Sequence, residues 1–429
     1  MVNSIIIIIS RYGYAQCQPL PVGDYEFLDE DEIDARSILR TRDDAEFGYI
    51  CEVDLSYPSR LHRDHREFPL APEKMKISPS MLGEYQNKCQ EVLGLSSKTS
   101  EKLSASFKDR TKYVLHYRNL KLYTKLGLKI KKIHRVLKFR QSTFLKTYID
   151  FCTEMRQNAN SEFEKRLYKL MANSCYGKTI ENVRKHITVK FAKTSQEFVK
   201  LSTDPRFKAR KIISDNLIAV FFSKSSIRIS QAYAAGFTIL EGSKHFMYDA
   251  FYNTFKPTFP NLKLLFTDTD SFFLSIPFEK NPHKKLEKIL DSSNFSKSNP
   301  LYSTKRKSKL GYFKSETGDE KITKFLGIRS KTYAFKTAKS SSKKCKGIAR
   351  RFNKNIPFSA YEKCVSEIAE CSASQISLRS FNHEVKMLKS TKLAFSSYDD
   401  KRYILPCGIH TLPYGSREIN ENLKECSFC

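Results

Sequence analysis

Long apolar runs are missing from this 429-residue sequence. Ile5–Ile9 is purely apolar but far short of the ~20 residues that a membrane-spanning helix needs. No positively charged segment precedes it, so a secretory signal is not expected and the chain reads as intracellular. A disulfide framework is lacking as well, because the 11 cysteines are odd in number and scattered. No internal repeat of about 20–50 residues recurs. Acidic charge is in deficit: 46 Asp+Glu stand against 75 Lys+Arg, a net charge of +29. That excess calls for a polyanionic partner, nucleic acid before an anionic membrane. A content of 40% hydrophobic and 12% aromatic residues supplies a core and excludes wholesale disorder. At ~150 residues per domain, the length suggests about three domains or subdomains.

The charge is unevenly spread. Residues 1–60 hold 5 basic and 12 acidic residues, whereas residues 101–200 hold 24 and 8, and residues 301–350 hold 15 and 3. Two separated basic blocks fit two walls of one groove, or two solvated surfaces. Within the first, Lys129–Lys132 with His134, Arg135 and Arg140 reads as a basic patch that contacts template phosphates, with a merely solvated face as the plain alternative. Both kinds of secondary structure are expected. Ile5–Ile9, Leu262–Phe266 and Phe272–Ile276 read as strands, and residues 161–185 and much of 358–372 as helices. Lys336–Lys346 reads as a loop or linker, and Pro282–Lys309 as a surface insertion.

The helix at 161–185 starts with a capping box, Ser161 with Glu164. Phe163, Leu167, Leu170, Met171 and Ser174 fall within about 100° on its circumference, an apolar stripe. Lys165, Lys169, Asn173 and Tyr176 fall within about 80° on the other side. Lysines one turn apart can grip successive phosphates of a triphosphate, Tyr176 offers a flat face to a base or sugar, and Gly177 permits close backbone approach. The plain alternative is an amphipathic helix with a solvated basic face.

The stretch Leu262–Leu274 reads as strand, acidic turn, strand. Asp268 and Asp270 repel each other in so tight a turn unless a cation sits with them. Hard oxygen donors select Mg²⁺ or Mn²⁺, and two such ions about 3.5–4 Å apart stabilise both the attacking and the leaving oxygen in phosphoryl transfer. The plain alternative is an Asp-rich hairpin turn.

In this order, Lys169-x-x-x-Asn173-Ser174-x-Tyr176-Gly177 and Asp268-Thr269-Asp270-Ser271 resemble motifs B and C of family B DNA polymerases. Gly327-Ile328-Arg329-Ser330-Lys331-Thr332-Tyr333 is similar to the Lys-x-Tyr motif of the protein-primed branch. Tyr12-Gly13-Tyr14-Ala15, Gln18-Pro19-Leu20-Pro21, Val53-Asp54-Leu55 with Tyr57-Pro58, Phe68-Pro69-Leu70-Ala71-Pro72, Asp399-Asp400-Lys401-Arg402-Tyr403 and Thr411-Leu412-Pro413-Tyr414-Gly415 resemble the polymerases of Polinton (Maverick) transposons and related viruses. The resemblance runs from about Ser10 to Gly415.

It implies an α+β right hand of palm, fingers and thumb, family B type, without an exonuclease domain. The palm would start at 1–22, and 23–115 would be a palm insertion of the primer-protein-contacting type. Residues 116–180 would be fingers with motif B, 181–338 palm with motif C and the Lys-x-Tyr motif, and 339–429 thumb and tail. Residues 178–215 sit where the protein-primed branch carries a strand-displacement insertion. The implied activity is DNA-directed DNA synthesis with two Mg²⁺ or Mn²⁺ ions. Its partners would be template and primer DNA, deoxynucleoside triphosphates and a terminal primer protein, with no membrane, and its site nuclear. Asp270 would be the principal metal ligand and Asp268 its supporting carboxylate. Lys169 would neutralise the triphosphate and protonate leaving pyrophosphate, assisted by Lys165. Asn173 and Tyr176 would line the nucleotide pocket, and Tyr12 would be the steric gate against ribonucleotides. Gly177, Lys331 and Tyr333 would contact DNA, the latter two at the primer terminus, and Arg156 a further phosphate.

The sequence departs from the family at motif A. Ile7 stands where the family has its catalytic Asp, and the chain begins at this motif, so an upstream exonuclease domain is not expected. Glu52 and Asp54, on one face of a strand, are candidates to replace the missing carboxylate. With one ligand gone, a non-catalytic nucleic-acid-binding remnant of a decayed element is the alternative function. A reverse transcriptase would carry Asp-Asp in place of Asp-Thr-Asp. Finally, Cys407-x-x-His410 and Cys426-x-x-Cys429 have zinc-compatible spacing, in a region where the resemblance carries no zinc site. The remaining cysteines read as small buried hydrophobes.

Overall fold

Two sheets share one core. The computed structural model describes residues 6–8, 11–95, 101–268, 271–277, 279, 281–381, 384–420, 426 and 429. The first sheet has five strands in the order Lys263–Thr267, Ser271–Ser275, Ile6–Ile8, Phe313–Lys314 and Leu290–Asp291. Its neighbours are antiparallel except the last pair, which is parallel. The second has four antiparallel strands in the order Leu20–Phe27, Lys129–Ser142, Phe47–Ser56 and Arg110–His116. The helices Tyr117–Lys125 and Tyr233–Asp249 fill the core with them. Val53 and Leu115 from the four-stranded sheet, Leu120 and Tyr248 from the helices, and Phe272 and Phe313 from the five-stranded sheet belong to one buried cluster. Burying each such side chain contributes about 1.5–3 kcal/mol, and the shared cluster makes the two sheets one body.

The strand Ser271–Ser275 is buried on both faces over its first four residues. Period-two alternation sends Phe272 and Leu274 into the main cluster and Phe273 into a separate one with Ile322, Tyr333 and Phe335. That second cluster roots a three-stranded sheet, Ile322–Arg329, Thr332–Thr337 and Ser341–Lys344, against the acidic hairpin. The helix Phe358–Ser366 packs on this smaller sheet through Tyr361 and Cys364. Beyond it runs a long two-stranded hairpin, Glu370–Phe381 with Glu384–Ser396. Residues 187–223 form a separate three-stranded sheet carrying the helix Ser195–Ser202. Among the described residues, no helix is long and apolar enough to cross a membrane.

Several local expectations are corrected. Lys336–Lys346 is not a loop: Ser341–Lys344 is a strand paired to Thr332–Thr337, with Ser341 opposite Lys336. Ser and Lys are tolerated there because that strand has only one neighbour in its sheet. The segment 282–309 is more than a surface insertion, since Leu286, Leu290 and Phe295 enter the main core. The helix expected through much of 358–372 stops at Ser366, and Glu370 already begins a strand. The helix expected at 161–185 spans Glu162–Thr179. None of its residues is buried, and Phe163 and Leu170 are 74% and 65% exposed. The apolar stripe stays open because the helix forms a two-helix arm with Lys146–Asn158 and meets the body only near its C-terminal end.

The basic strand Lys129–Ser142 is also not the bare patch its sequence suggests. Sheet register sets it against the acidic early segment, and Arg135 pairs with Glu52 at 2.8 Å, Lys138 with Glu26 at 3.2 Å and Arg140 with Asp24 at 2.7 Å. Lys131 pairs with Asp109 at 2.6 Å, and His134 with Asp54 at 2.8 Å. Part of the early acidic excess is thus set against the basic strand across the sheet.

Candidate active site

The acidic turn closes on itself. The Asp268 N–H donates to the Ser271 carbonyl at 3.3 Å, and the Ser271 hydroxyl returns to the Asp268 carbonyl at 3.3 Å. Asp270, the principal expected ligand, lies outside the described residues, as does Thr269. On the neighbouring strand Ile7 pairs with Ser271 and Ile6 with Phe272. The position expected to carry the motif A carboxylate therefore sits beside motif C, one register step from the turn. An isoleucine cannot donate an oxygen there.

Glu52 and Asp54 do not make good that loss. Both belong to the four-stranded sheet, where Glu52 binds Arg135, and Asp54 binds the Lys112 N–H at 2.7 Å as well as His134. Hydrogen bonding from Arg135 holds the Glu52 carboxyl below its ordinary range, and the Lys112 N–H and His134 do the same for Asp54. These carboxylates are already committed to cations of their own sheet.

Tyr12 lies on the short helix Arg11–Gln16, directly downstream of the Ile6–Ile8 strand. Its ring stacks on Tyr176 with centroids 4.7 Å apart and planes 17° apart. The amide of Gln16 donates to the Ala172 carbonyl at 3.2 Å and ties the same two helices. Ala15, Ala235 and Ile239 pack beneath the pair. The long helix Tyr233–Asp249 approaches so closely that a Cβ on Gly236 would lie 2.5 Å from both Thr179 Oγ1 and Ile180 Cγ2. That contact sets where the Glu162–Thr179 helix ends. Lys165, Lys169 and Asn173 continue the Tyr176 face outward; Lys169 and Asn173 are exposed, and Lys165 pairs with Glu162 at 2.8 Å. Nothing lies within 4 Å of a Cβ placed on Gly177, so its backbone is open to a ligand. Arg156 sits in the last turn of the companion helix, where burial pulls its guanidinium below its ordinary value.

The Lys-x-Tyr segment meets motif C from the opposite side. Lys331 occupies the hairpin tip in a left-handed conformation, φ 62°, which is costly for a residue with a Cβ. Tyr333 is 2% exposed, its ring 5.1 Å from Phe266 and 4.9 Å from Phe273. Burial raises the Tyr333 phenol, the Lys344 ammonium opposes that, and the charges of Asp268 and Glu316 add to it. Lys344 Nζ lies 5.3 Å from the ring centroid. Desolvation works against the Lys344 charge, yet Tyr333, Glu316 and Asp268 outweigh it and hold the ammonium above its ordinary value. Sequence reading missed Lys344, because it stands in a Ser/Lys run with no motif; only the strand pairing brings it to Asp268.

Residues 8–220 match the family model of DNA polymerase type B, organellar and viral. Phi29 DNA polymerase complexed with primer-template DNA and incoming nucleotide substrates superposes with a TM-score of 0.56 at 15% identity, over 91% of this chain and 57% of that one. The fold is that of a family B DNA polymerase. The orthorhombic form of the Phi29 enzyme gives a TM-score of 0.55 at 14% identity, over 91% and 58%. Its binary complex with primer-template DNA gives 0.53 at 15%, over 91% and 57%. The chain thus spans a little under three fifths of that polymerase's length, and no curated protein matches it.

Proposed function

We propose that this chain is a DNA-directed DNA polymerase of the protein-primed, Polinton-like branch of family B, with weakened chemistry at motif A. The single observation that carries the reading is the pairing of Ile6–Ile8 with Ser271–Phe272, followed on the same chain by Tyr12 stacked on Tyr176. Asp268 and Asp270 would be the residues that hold the metal for two-metal phosphoryl transfer, and they meet that need only in part. The carboxylates supply hard oxygen donors, but Ile7 supplies none, so the residues fit one side of a divalent-ion pair. Held there, Mg²⁺ or Mn²⁺ would offset charge on the α-phosphate.

The remaining roles belong to the chain itself. Lys169 and Lys165 neutralise the triphosphate, and Lys169 is the group positioned to protonate leaving pyrophosphate. Tyr12 crowds a ribose 2′ hydroxyl, and Tyr176 with Asn173 completes the nucleotide pocket. Gly177, Lys331 and Tyr333 contact DNA, with Lys331 and Tyr333 at the primer end, and Lys344 reinforces them from the adjacent strand. Palm, fingers and thumb follow the limits given above, with a terminal primer protein contacting 23–115 and the nucleus as the working compartment.

A second reading is favoured by one specific observation, the isoleucine at the motif A position: a DNA-binding remnant that does not turn over. Primer extension with Mg²⁺ or Mn²⁺ and deoxynucleotides, alongside primer-template binding, separates them. Extension supports the polymerase, and full binding with no product supports the remnant.

A further inference from the structure

The chain end returns to the hairpin formed by Tyr403–Ile404 and Thr411–Leu412, whose loop carries Cys407 and His410. Three sulfurs converge on one nitrogen there. Cys407 Sγ, Cys426 Sγ and Cys429 Sγ lie 3.5, 3.4 and 3.5 Å from His410 Nδ1. All four atoms fall within 4.8 Å of one another. An imidazole nitrogen carries one hydrogen or one lone pair, so hydrogen bonding accounts for one such contact and not for three. None of the three cysteines is in a disulfide.

A central metal accounts for all of them. With zinc–sulfur bonds of about 2.3 Å and a zinc–nitrogen bond of about 2.0–2.1 Å, a tetrahedron sets each sulfur about 3.6 Å from the nitrogen. The observed distances sit at that value. The backbone is shaped accordingly. Gly408 adopts φ 72°, and a Cβ on it would also lie 2.6 Å from Tyr85 Cε2, so this turn requires glycine. The turn points the His410 N–H at Cys407 Sγ, 3.4 Å away, a donor that suits an anionic sulfur. The Cys429 N–H closes a second turn onto the Cys426 carbonyl at 3.3 Å.

We propose that Cys407, His410, Cys426 and Cys429 form a Cys₃His site for one zinc ion that fastens the C-terminal end to this hairpin. Three thiolates and an imidazole suit zinc, whereas Mg²⁺ and Ca²⁺ prefer oxygen donors. Four protein ligands leave no open position, so the site is structural and not catalytic. The hairpin is itself docked on the helix Glu84–Val92, where Gln86 donates to the Asp399 carbonyl at 2.8 Å and accepts from the Ile404 N–H at 3.2 Å. Zinc would therefore fasten Cys426 and Cys429 to a hairpin that is already docked on the helix Glu84–Val92.

The test is metal content of the full chain purified from zinc-supplemented medium and dialysed without strong chelator. We expect about one zinc per chain, falling below about a tenth in the paired variant Cys426→Ser/Cys429→Ser and staying at one in Cys371→Ser, a thiol outside the cluster. Loading with Co²⁺ should give the intense visible bands and sulfur-to-metal charge transfer of a tetrahedral thiolate site. Bound metal should also shield Cys407, Cys426 and Cys429 from iodoacetamide until a chelator is added. A zinc-free wild type, full zinc in the paired variant, or the pale spectrum of octahedral cobalt would each overturn the assignment.

Discussion

Tyr12 and Tyr176 stack face to face at 4.7 Å, joining the helix that follows motif A to the exposed helix that carries Lys165, Lys169 and Asn173. With the Gln16–Ala172 hydrogen bond, the contact holds the inner end of an arm that is otherwise solvated. Offset aromatic pairs contribute about 0.5–1.5 kcal/mol beyond their buried area. A double-mutant cycle with Tyr12→Ala and Tyr176→Ala, followed by urea unfolding, should return a coupling of that size. Strict additivity would show that the rings do not meet in solution. In any variant that synthesises DNA, Tyr12→Ala should also raise ribonucleotide use relative to deoxynucleotide use.

Ile7 gives the sharpest test of the catalytic reading. Ile7→Asp restores an oxygen donor opposite Ser271, and primer extension in Mn²⁺ should rise by about tenfold or more. Adding Asp270→Asn to that variant should remove the gain while primer-template affinity stays within about twofold. Unchanged extension in Ile7→Asp would mean that the motif A alignment is wrong.

Lys344 tests the approach from the other side of motif C. Lys344→Met removes the ammonium that faces Tyr333 and Asp268, and extension by an active variant should fall about tenfold. Lys343→Met, next in sequence but bonded to the Ile356 carbonyl at 2.5 Å, should leave extension nearly unaltered. Equal losses in the two variants would remove the special role given to Lys344.

Gly236 tests how the motif B helix is seated. A methyl group there collides with Thr179 and Ile180, whose β-branched side chains have little room to move. Gly236→Ala should cost about 1–3 kcal/mol in chemical denaturation, and Gly242→Ala, where the nearest atom is Ala15 Cβ at 3.5 Å, should cost less. A harmless Gly236→Ala would mean that the two helices stand further apart.

His65 links pH to stability. Its Nδ1 meets the Tyr57 hydroxyl at 2.8 Å, that hydroxyl also accepts the Leu70 N–H at 3.2 Å, and burial pulls the imidazole down to about 4. The folded state thus binds fewer protons than the unfolded chain between the ordinary value of 6.5 and about 4. His65 stabilises fully above that window and loses its contribution as pH falls through it, by up to about 3 kcal/mol. Urea unfolding at several pH values should show this slope, and His65→Gln should flatten it. An unaltered slope in that variant would assign the acid sensitivity elsewhere.

Much of the architecture was legible because local chemistry announces it. The capping box at Ser161, the strand–turn–strand around Asp268 and the strand character near Ile7 all appear in the structure. The segments Tyr57-Pro58 and Phe68–Pro72, read only as family text, prove to be packing pieces: Tyr248 and Tyr252 donate to the carbonyls of Pro69 and Phe68 at 2.9 and 2.6 Å. The ion pairs of the basic strand at 129–142 were not legible, because most of its counter-charges lie about 80–116 residues upstream, where no local pattern reveals them. Lys344 escaped for the same reason.

The sequence alone determined a net charge of +29 and the residue types whose chemistry is local: carboxylates between two strands, lysines one helical turn apart, Cys and His at metal spacing. Tertiary structure decided which of those groups meet. It paired Ile7 with Ser271, stacked Tyr12 on Tyr176, set Asp24, Glu26, Glu52 and Asp54 against the basic strand, and drew three sulfurs around His410. The physical reason is that strand register and long-range packing depend on contacts between distant segments, and these are set by the whole core together, not by any one stretch of chain.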